Sequence, residues 1–317
     1  MILAAIDIGT NTFRLLIADV RPGQRAESII FQEIHSERII TRLGEGLSED
    51  GLLKKEALER GINALMQFSG LIAENKAEKV LAIATSALRN AGNNDEFIKS
   101  IKDSTGIDIE VVTGEKEAAM TAAGMLIDIE PPASSLMLDI GGGSTELIFT
   151  GTNAPLTVQS LDLGVVYLAE KHIKNDPPSN TDLELLENEI SDKLENVREF
   201  FTSIITPETI LMGTAGTITA LAAALQRLEK YDHDKIHKFR INITDVKAIY
   251  SEMTNMSTAE RSKFLPFEPS RLDIIVPGTL ILLRLMSIFG FKEILVSNYG
   301  LREGILAELY THGYKSH

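Results

Sequence analysis

Two stretches of the chain carry the same set of chemically useful residues, Asp7-Ile8-Gly9-Thr10-Asn11-Thr12 and Asp139-Ile140-Gly141-Gly142-Gly143-Ser144-Thr145. In each, a short apolar run ends in aspartate, a glycine-containing turn with hydroxyl side chains follows, and a second apolar run begins. A tight turn of this kind directs several backbone N–H groups into one concavity, which attracts phosphate without net positive charge. Glycine lets the backbone approach the anion, and Thr10, Thr12, Ser144 and Thr145 offer hydroxyl donors. A carboxylate would repel a bare phosphate, so Asp7 and Asp139 at the turns point to a bridging divalent cation. A third turn, Gly213-Thr214-Ala215-Gly216-Thr217, follows the apolar run Thr209–Met212 and opens an Ala/Leu-rich segment. That pattern predicts a helix N-terminus, where free N–H groups and the dipole favour an anion. One strand–Gly–strand turn is weak evidence, because most such hairpins bind nothing. Three phosphate-type turns in one chain describe a phosphate-handling cleft.

The elements that must hold these turns alternate between strand and helix signals, which favours an α/β class. Ile2–Ile8, Arg14–Val20 and Ala26–Ile34 read as successive strands of an antiparallel meander. Glu56–Glu74 has helical apolar spacing at Leu58, Ile62, Leu65, Phe68 and Ile72. Val80–Ala84 reads as a buried strand, Asp95–Thr105 as a helix, Ile109–Thr113 as a strand and Glu115–Leu126 as a helix. Pro131 and Pro132 cannot continue that helix. Leu136–Ile140 then restarts the strand–turn–strand pattern, so the halves read as divergent copies of one unit. Thr181–Phe201 is a long amphipathic helix behind a surface loop at Asn175–Asn180. Leu272–Phe289 reads as a buried helix, Glu293–Ser297 as a strand and Leu301–Tyr310 as the last helix. The expected domains are 1–125, joined by the C-terminal segment 301–317, and 126–300.

Composition closes off several function classes. At 317 residues there is room for two domains, each with its own core. With 44% hydrophobic and 24% charged residues, the chain reads as an ordinary soluble globular protein. No apolar run is long enough to span a membrane. The N-terminus enters a strand at once, without a basic region or small-residue cleavage site, so cytoplasmic residence is expected. There is no cysteine, which excludes disulfides, thiolate metal sites and cysteine nucleophiles. All six histidines fall outside the Gly-rich motifs, which leaves little support for a histidine phosphatase or a zinc site. The formal charge of −14 argues against broad nucleic-acid binding. A polyanionic small substrate is still compatible, provided local Arg/Lys groups, helix N-termini and a metal counter the overall field.

The motifs DIGTNTFR, ATSALRNA, TGEKEA, DIGGGSTE, GTAGT, RLDIIVPG and SNYGLREG follow one another between Ile6 and Gly304. In that order they resemble the exopolyphosphatase/guanosine pentaphosphate phosphohydrolase (Ppx/GppA) family of the actin-like ATPase superfamily. The resemblance implies two actin-like, ribonuclease H-like α/β domains with an active-site cleft between them, the last helix crossing back to the first domain. It implies a Mg2+-dependent hydrolase that removes terminal orthophosphate from inorganic polyphosphate, from pppGpp, or from both. It also brings K+ as an activating monovalent cation and a homodimer, with no nucleic-acid or membrane partner.

Residue by residue, the resemblance implies that Glu117 of TGEKEA orients and deprotonates the attacking water. Glu146 of DIGGGSTE would support water or metal, with Asp7 and Asp139 as the other metal ligands. Arg14 and Arg89 would lie beside the terminal phosphate, where guanidinium forks bind phosphate oxygens. Gly9, Thr10, Asn11, Thr12, Gly141, Gly142, Gly143, Ser144, Thr145, Gly213, Thr214, Ala215, Gly216 and Thr217 would form the phosphate cradle. Without the resemblance, Glu117 reads as a surface charge satisfying a helix dipole, and each arginine as a solvated charge. Arg302 with Glu303 reads as an ion pair positioning the last helix, and Arg271 and Asp273 read as bracing the interdomain surface.

Lys116 stands where relatives often carry a second acid, and Ala215 where many have serine. Long members also have a C-terminal HD-type helical domain, without which a weaker processive grip on long polymers is expected. Two other readings share the same core. A sugar kinase or actin-like assembly protein would need a sugar-binding insertion and a catalytic Asp, whereas the TGEKEA acid favours water as acceptor. A catalytically silent nucleotide-binding regulator is disfavoured by the intact Glu117 and Glu146.

Overall fold

The structure, a computed structural model, describes residues 1–23, 29–152 and 154–312, and of residues 48, 49, 154 and 312 the backbone alone. Residues 26–28 of the expected strand at Ala26–Ile34 and residues 313–317 of the expected C-terminal segment lie outside the described residues. The chain divides into two compact units, Met1–Glu130 with Tyr299–His317, and Pro131–Asn298.

The first unit contains strands β1 (Ile2–Ile8), β2 (Thr12–Pro22), β3 (Ile29–Ile40), β4 (Lys79–Ala84) and β5 (Ile109–Val111). Its helices are α1 (Leu47–Asp50), α2 (Lys55–Glu74), α3 (Ser86–Asn90), α4 (Asn94–Thr105) and α5 (Gly114–Met125). The second unit contains β6 (Ser134–Ile140), β7 (Thr145–Gly151), β8 (Ala154–Leu161), β9 (Ile210–Thr214), β10 (Arg240–Asn242) and β11 (Glu293–Val296). Its helices are α6 (Val165–His172), α7 (Asn180–Ile204), α8 (Ala215–Leu225), α9 (His233–Ile236), α10 (Ile243–Thr254) and α11 (Ile275–Phe289). The last helix, α12 (Leu301–His312), belongs to the first unit.

The sheet of the first unit has the order β3-β2-β1-β4-β5, with β1, β2 and β3 antiparallel and β4 and β5 parallel to β1. Its central strands are buried on both faces, and the period of two along each strand sorts their side chains into two cores. Ala4, Ile6, Ile8, Leu15 and Ile17 pack with Leu65 and Phe68 of α2 and Phe97 of α4. The alternate residues Leu3, Ala5, Leu16 and Ala18 pack with Met120 of α5 and Ile305, Leu306 and Leu309 of α12.

In the second unit the order is β10-β11-β9-β6-β7-β8. Here β6, β7 and β8 form the antiparallel meander, and β9 and β11 run parallel to β6. This is the first unit's pattern again, with β10 added antiparallel at the edge. The long helix α7 buries Leu186, Ile190, Leu194, Val197 and Phe201 at helical spacing. Its start is fixed by a capping box in which Ser179 accepts from the Asp182 N–H while Asp182 accepts from the Ser179 N–H.

Several elements depart from the sequence-based expectation. The hairpin strands are longer than expected, with β2 starting at Thr12 and β3 continuing to Ile40. The extra length of β3 alternates half-buried and exposed residues at the sheet edge, a pattern that reads as loop in sequence. The segment after β4 forms the short helix α3, and the buried helix α11 starts at Ile275 behind a 3₁₀ turn at Pro269–Arg271. α1, β8, α6, α9, β10 and α10 have no counterpart in the sequence-based expectation.

Candidate functional site

In the first unit β1, β4 and β5 are parallel neighbours, so their carboxyl ends lie on one edge of the sheet. Ligands of open α/β sheets bind outside such an edge. Each of these strand ends leads directly into residues singled out from sequence. β1 leads to Asp7 and the first turn, β4 to Arg89 on α3, and β5 to Glu117 on α5.

Arg89 and Glu117, distant in sequence, meet here. Arg89 Nη1 donates to Glu117 Oε2 at 2.9 Å and to the carbonyl of Val112 at 3.0 Å. The two side chains are 23% and 9% exposed, so the pair is shielded yet reachable. Glu117 sits in the first turn of α5, whose N-cap Thr113 accepts from the Lys116 N–H at 3.3 Å. α5 is seated on α12 by backbone contact. A Cβ at Gly304 would lie 1.8 Å from the Met120 carbonyl oxygen, and one at Gly124 1.9 Å from that of Gly300. Only glycine allows this approach, and it sets the height at which α5 presents Glu117.

Asp7 and Arg14 are cross-strand partners, and Arg14 Nη1 lies 3.6 Å from Asp7 Oδ2. Burial pushes the Asp7 carboxyl above its ordinary range, against the opposing pull of Arg14 and Arg302 and with a further push from Glu303. Arg302 bonds to Ser36 Oγ at 3.0 Å and to Glu303 Oε1 at 3.2 Å, while Glu303 Oε2 accepts from the Gly300 N–H at 2.8 Å. This pair therefore fixes the start of α12, as its structural reading anticipated.

The first two turns share one geometry. Ile8 pairs with Phe13 and Ile140 with Thr145, so each turn spans the same number of residues. The Gly9 N–H donates to the Thr12 carbonyl at 3.2 Å, and the Gly141 N–H to the Ser144 carbonyl at 2.9 Å. In both, a following segment takes up turn carbonyls from behind. The N–H groups of Thr41 and Arg42 donate to Asn11 O, and that of Gly44 to Thr10 O, at 3.2, 3.0 and 2.9 Å. Those of Val165 and Val166, at the start of α6, donate to Gly141 O and Gly142 O at 3.1 and 2.9 Å. In a trans peptide the N–H points opposite to the C=O. The N–H groups of Asn11, Thr12, Gly142 and Gly143 are thereby turned away from the backing segment, as an anion nest requires. α6 is itself held by Glu189 of α7, which accepts from Lys171 Nζ at 2.8 Å and the Tyr167 hydroxyl at 3.2 Å.

The register also shows where the two copies differ. Asp7 faces Arg14 across the first hairpin, and Asp139 faces Glu146 across the second. Directly opposed carboxylates repel, so this position suits a bound cation where its counterpart carries an arginine. Glu146 is buried, and its Oε1 accepts from Ser160 Oγ at 2.9 Å. Among the described residues no three His, Cys, Asp or Glu side chains gather as a metal cage. Mg2+ commonly takes only one or two carboxylates and completes its shell with water and phosphate oxygens, which this pair fits.

Two threonines of the expected phosphate cradle, one of them an expected hydroxyl donor, turn their side chains elsewhere. Thr145 Oγ1 is buried and donates to the Leu163 carbonyl at 2.6 Å, so its hydroxyl belongs to the hairpin's support. Thr217 is fully buried, its side chain against Gly278 of α11. Thr10, Thr12 and Ser144 are largely buried within their turns. In the third turn Gly213 and Thr214 end β9 and α8 begins at Ala215, the expected helix N-terminus. Ala215 has φ +68°, a left-handed conformation that is strained for a residue with a Cβ.

One residue was undervalued from sequence. The guanidinium of Arg271 lies over Gly216, where an added Cβ would meet Nη2 at 2.1 Å. Arg271 is buried, with Nε 3.6 Å from Glu268 Oε1. It thus brings positive charge to the third turn, in addition to any bracing role. The motif RLDIIVPG was its signal, but nothing in that motif says which loop it packs against.

The Ppx/GppA phosphatase family profile matches residues 16–312. Exopolyphosphatase 2 of Mycobacterium tuberculosis is 31% identical over 317 residues, covering 97% of this chain and 98% of that protein. The guanosine-5'-triphosphate,3'-diphosphate pyrophosphatase of Pseudoalteromonas atlantica is 27% identical, covering 96% of this chain and 57% of that one. The crystal structure of the Aquifex aeolicus family member has a TM-score of 0.82 and 32% identity, over 100% of this chain and 99% of that one. An exopolyphosphatase from Cytophaga hutchinsonii has a TM-score of 0.88 and 27% identity, over 99% of each chain.

Proposed function

This chain belongs to the Ppx/GppA phosphatase family, whose fold is the actin-like two-domain α/β architecture, and we propose that it hydrolyses the terminal phosphoanhydride of polyphosphate, of pppGpp, or of both. The observation that carries the reading is the Arg89–Glu117 pair at the carboxyl edge of the first sheet. Hydrolysis of a phosphoanhydride needs an oriented water, a base for its proton, and cover for the charge on the transferring phosphoryl group.

In this reading Glu117 accepts the water's proton. Arg89, already 2.9 Å away, holds the carboxylate in place and binds the terminal phosphoryl oxygens. Arg14 adds charge beside the first turn. The N–H groups of Gly9–Thr12, Gly141–Thr145 and Gly213–Thr217 bind phosphate oxygens, and Arg271 neutralises charge at the third turn. Family members are generally divalent-metal dependent, and here the ion is taken to be Mg2+, with Asp139 and Glu146 as its protein ligands in the second unit and Asp7 as the acid of the first. When bound, Mg2+ screens phosphate charge and polarises the scissile phosphorus–oxygen bond. K+ activation, a homodimer and cytoplasmic residence complete the reading on family grounds. Among the described residues no helix is long and apolar enough to cross a membrane.

The test is orthophosphate release with Mg2+ from long polyphosphate, short polyphosphate, pppGpp and ATP, with Glu117→Gln as control. Glu117-dependent release from polyphosphate or pppGpp supports the reading and reveals the preference. Turnover of ATP alone refutes both proposed substrates and makes this family member a nucleoside triphosphatase.

A further inference from the structure

We propose that Arg60 of α2 is a positioning residue for the first phosphate turn, its positive charge relayed through two hydrogen-bonded peptides to the Thr12 N–H. The inference rests on the phosphohydrolase reading above and adds to it the group that makes one of its backbone donors strong.

The relay can be followed bond by bond. Arg60 Nε donates to the Thr41 carbonyl at 2.6 Å. That carbonyl shares a peptide with the Arg42 N–H, which donates to the Asn11 carbonyl at 3.0 Å. The Asn11 carbonyl in turn shares a peptide with the Thr12 N–H, one of the donors turned toward the anion nest. Within a trans peptide C=O and N–H point in opposite directions, so the bonds run one way, from the guanidinium to the turn. Each bond in such a chain polarises the next. A chain that begins at a cation therefore ends in a more positive N–H, which is what a phosphate oxygen binds.

Arg60 is held in this role by a second set of bonds. Its Nη2 donates to Glu45 Oε2 at 2.8 Å and reaches the Arg42 carbonyl at 3.4 Å. The guanidinium thus takes the carbonyls on both sides of Arg42, whose φ of +46° is a left-handed conformation strained for a residue with a Cβ. Such a conformation persists where its surroundings over-determine it. Glu45 opposes the Arg60 charge, but it is the more exposed partner and solvent screens it, whereas Thr41 is fully buried. The guanidinium's effect on the buried peptide is the one that survives.

The second turn reaches the same end by another route. Its backing carbonyls, Gly141 O and Gly142 O, accept from the N–H groups of Val165 and Val166 at the start of α6. A helix N-terminus carries roughly half a positive charge. The first turn is backed instead by Thr41–Gly44, which lies between β3 and α1, and Arg60 supplies there the positive end that α6 supplies to its counterpart.

The experiment makes two measurements on the wild type, Arg60→Met and Arg60→Gln. One is KM and kcat for inorganic tripolyphosphate with Mg2+. The other is the shift of the Thr12 amide signal on adding inorganic phosphate with Mg2+, in protein labelled at threonine nitrogen. Methionine keeps the length of the stem and removes both donor and charge. Glutamine places Nε2 as many bonds from the backbone as arginine Nε, so it keeps the donor and loses the charge. Arg60→Met should raise KM about fivefold, within the worth of one hydrogen bond. Its kcat should stay within about twofold of wild type, because the Thr12 N–H holds phosphate in ground and transition states alike. The phosphate-induced shift of the Thr12 amide should shrink in parallel. Arg60→Gln should fall between wild type and Arg60→Met, and it carries the test if Arg60→Met does not fold. An unchanged KM and amide shift in both variants, even with a lowered denaturation midpoint, would reduce Arg60 to a structural tether and overturn the relay. Wild-type behaviour of Arg60→Gln would overturn it too, since the charge would then carry nothing. Cleavage of tripolyphosphate with no phosphate-induced shift at Thr12 overturns the relay and leaves the hydrolase reading standing. A shift that weakens in both variants, in a protein that cleaves no substrate, supports the relay and overturns the hydrolase reading.

Discussion

Replacing Glu117 by Gln separates its role as base from its role as Arg89's partner. Glutamine keeps the side chain's length, and its Oε1 can still accept from Arg89 Nη1, bonded to the carboxylate at 2.9 Å. Substrate binding should therefore change little. Proton acceptance is lost, and a positioned general base contributes about 10²–10⁴ in rate. At about 1.36 kcal/mol per decade, that raises the barrier by roughly 2.7–5.4 kcal/mol. Stability should fall as well, because a charged bond between side chains 23% and 9% exposed becomes a charge–neutral one. We expect about 1–3 kcal/mol, below the full cost of breaking a buried pair because Arg89 keeps its Val112 bond. For a protein of this size each kcal/mol moves Tm by about 2–4 °C. The assay is steady-state orthophosphate release with calorimetry on the same preparations. A kcat within about twofold of wild type would refute Glu117 as the base, since general-base catalysis leaves no room for so small a loss.

Asp7→Asn should stabilise the protein while impairing turnover. Burial raises the Asp7 carboxyl above its unfolded value of 3.8, so the folded state holds the proton more tightly. Stability contributed by this group is present below pH 3.8 and is lost as pH rises through the folded value. The variant should therefore remove the fall in stability that accompanies the rise from pH 3.8 to the folded value, measured by denaturant titration across a pH series. Gly304→Ala places a methyl where the Met120 carbonyl lies 1.8 Å away and should cost about 3 kcal/mol or more, read as a lowered denaturation midpoint. Ala215→Gly relieves a left-handed residue at φ +68° and should raise stability by about 1 kcal/mol; a lowered midpoint would show that this conformation costs nothing. Asp182→Ala removes the capping box of α7 and should cost about 1 kcal/mol by the same measurement.

Much of the proposed site is legible in the sequence. Glycine, aspartate and hydroxyl residues between two apolar runs already describe a turn whose amides can meet phosphate, and β1, β6 and β9 end where those runs end. Glu117 and Arg89 were also named, but only on the strength of family motifs, because an acid in a helix's first turn and an arginine after a strand are common. Their pairing is a tertiary fact. It follows from β4 and β5 lying side by side in parallel, which no local pattern announces.

Local sequence by itself determined the strand–turn–strand hairpins, the long amphipathic helices and the repetition of one unit, since these depend on neighbours within a few residues. Tertiary structure alone decided which charge faces which. Asp7 meets Arg14 while Asp139 meets Glu146, because strand register, not composition, chooses cross-strand partners. It decided that the Thr145 hydroxyl turns inward to Leu163 and that Arg271 lies on Gly216. The physical reason is range. Propensity and periodicity act over one turn or one hairpin, whereas a side chain's electrostatic partner comes from whichever distant segment the packed core brings beside it.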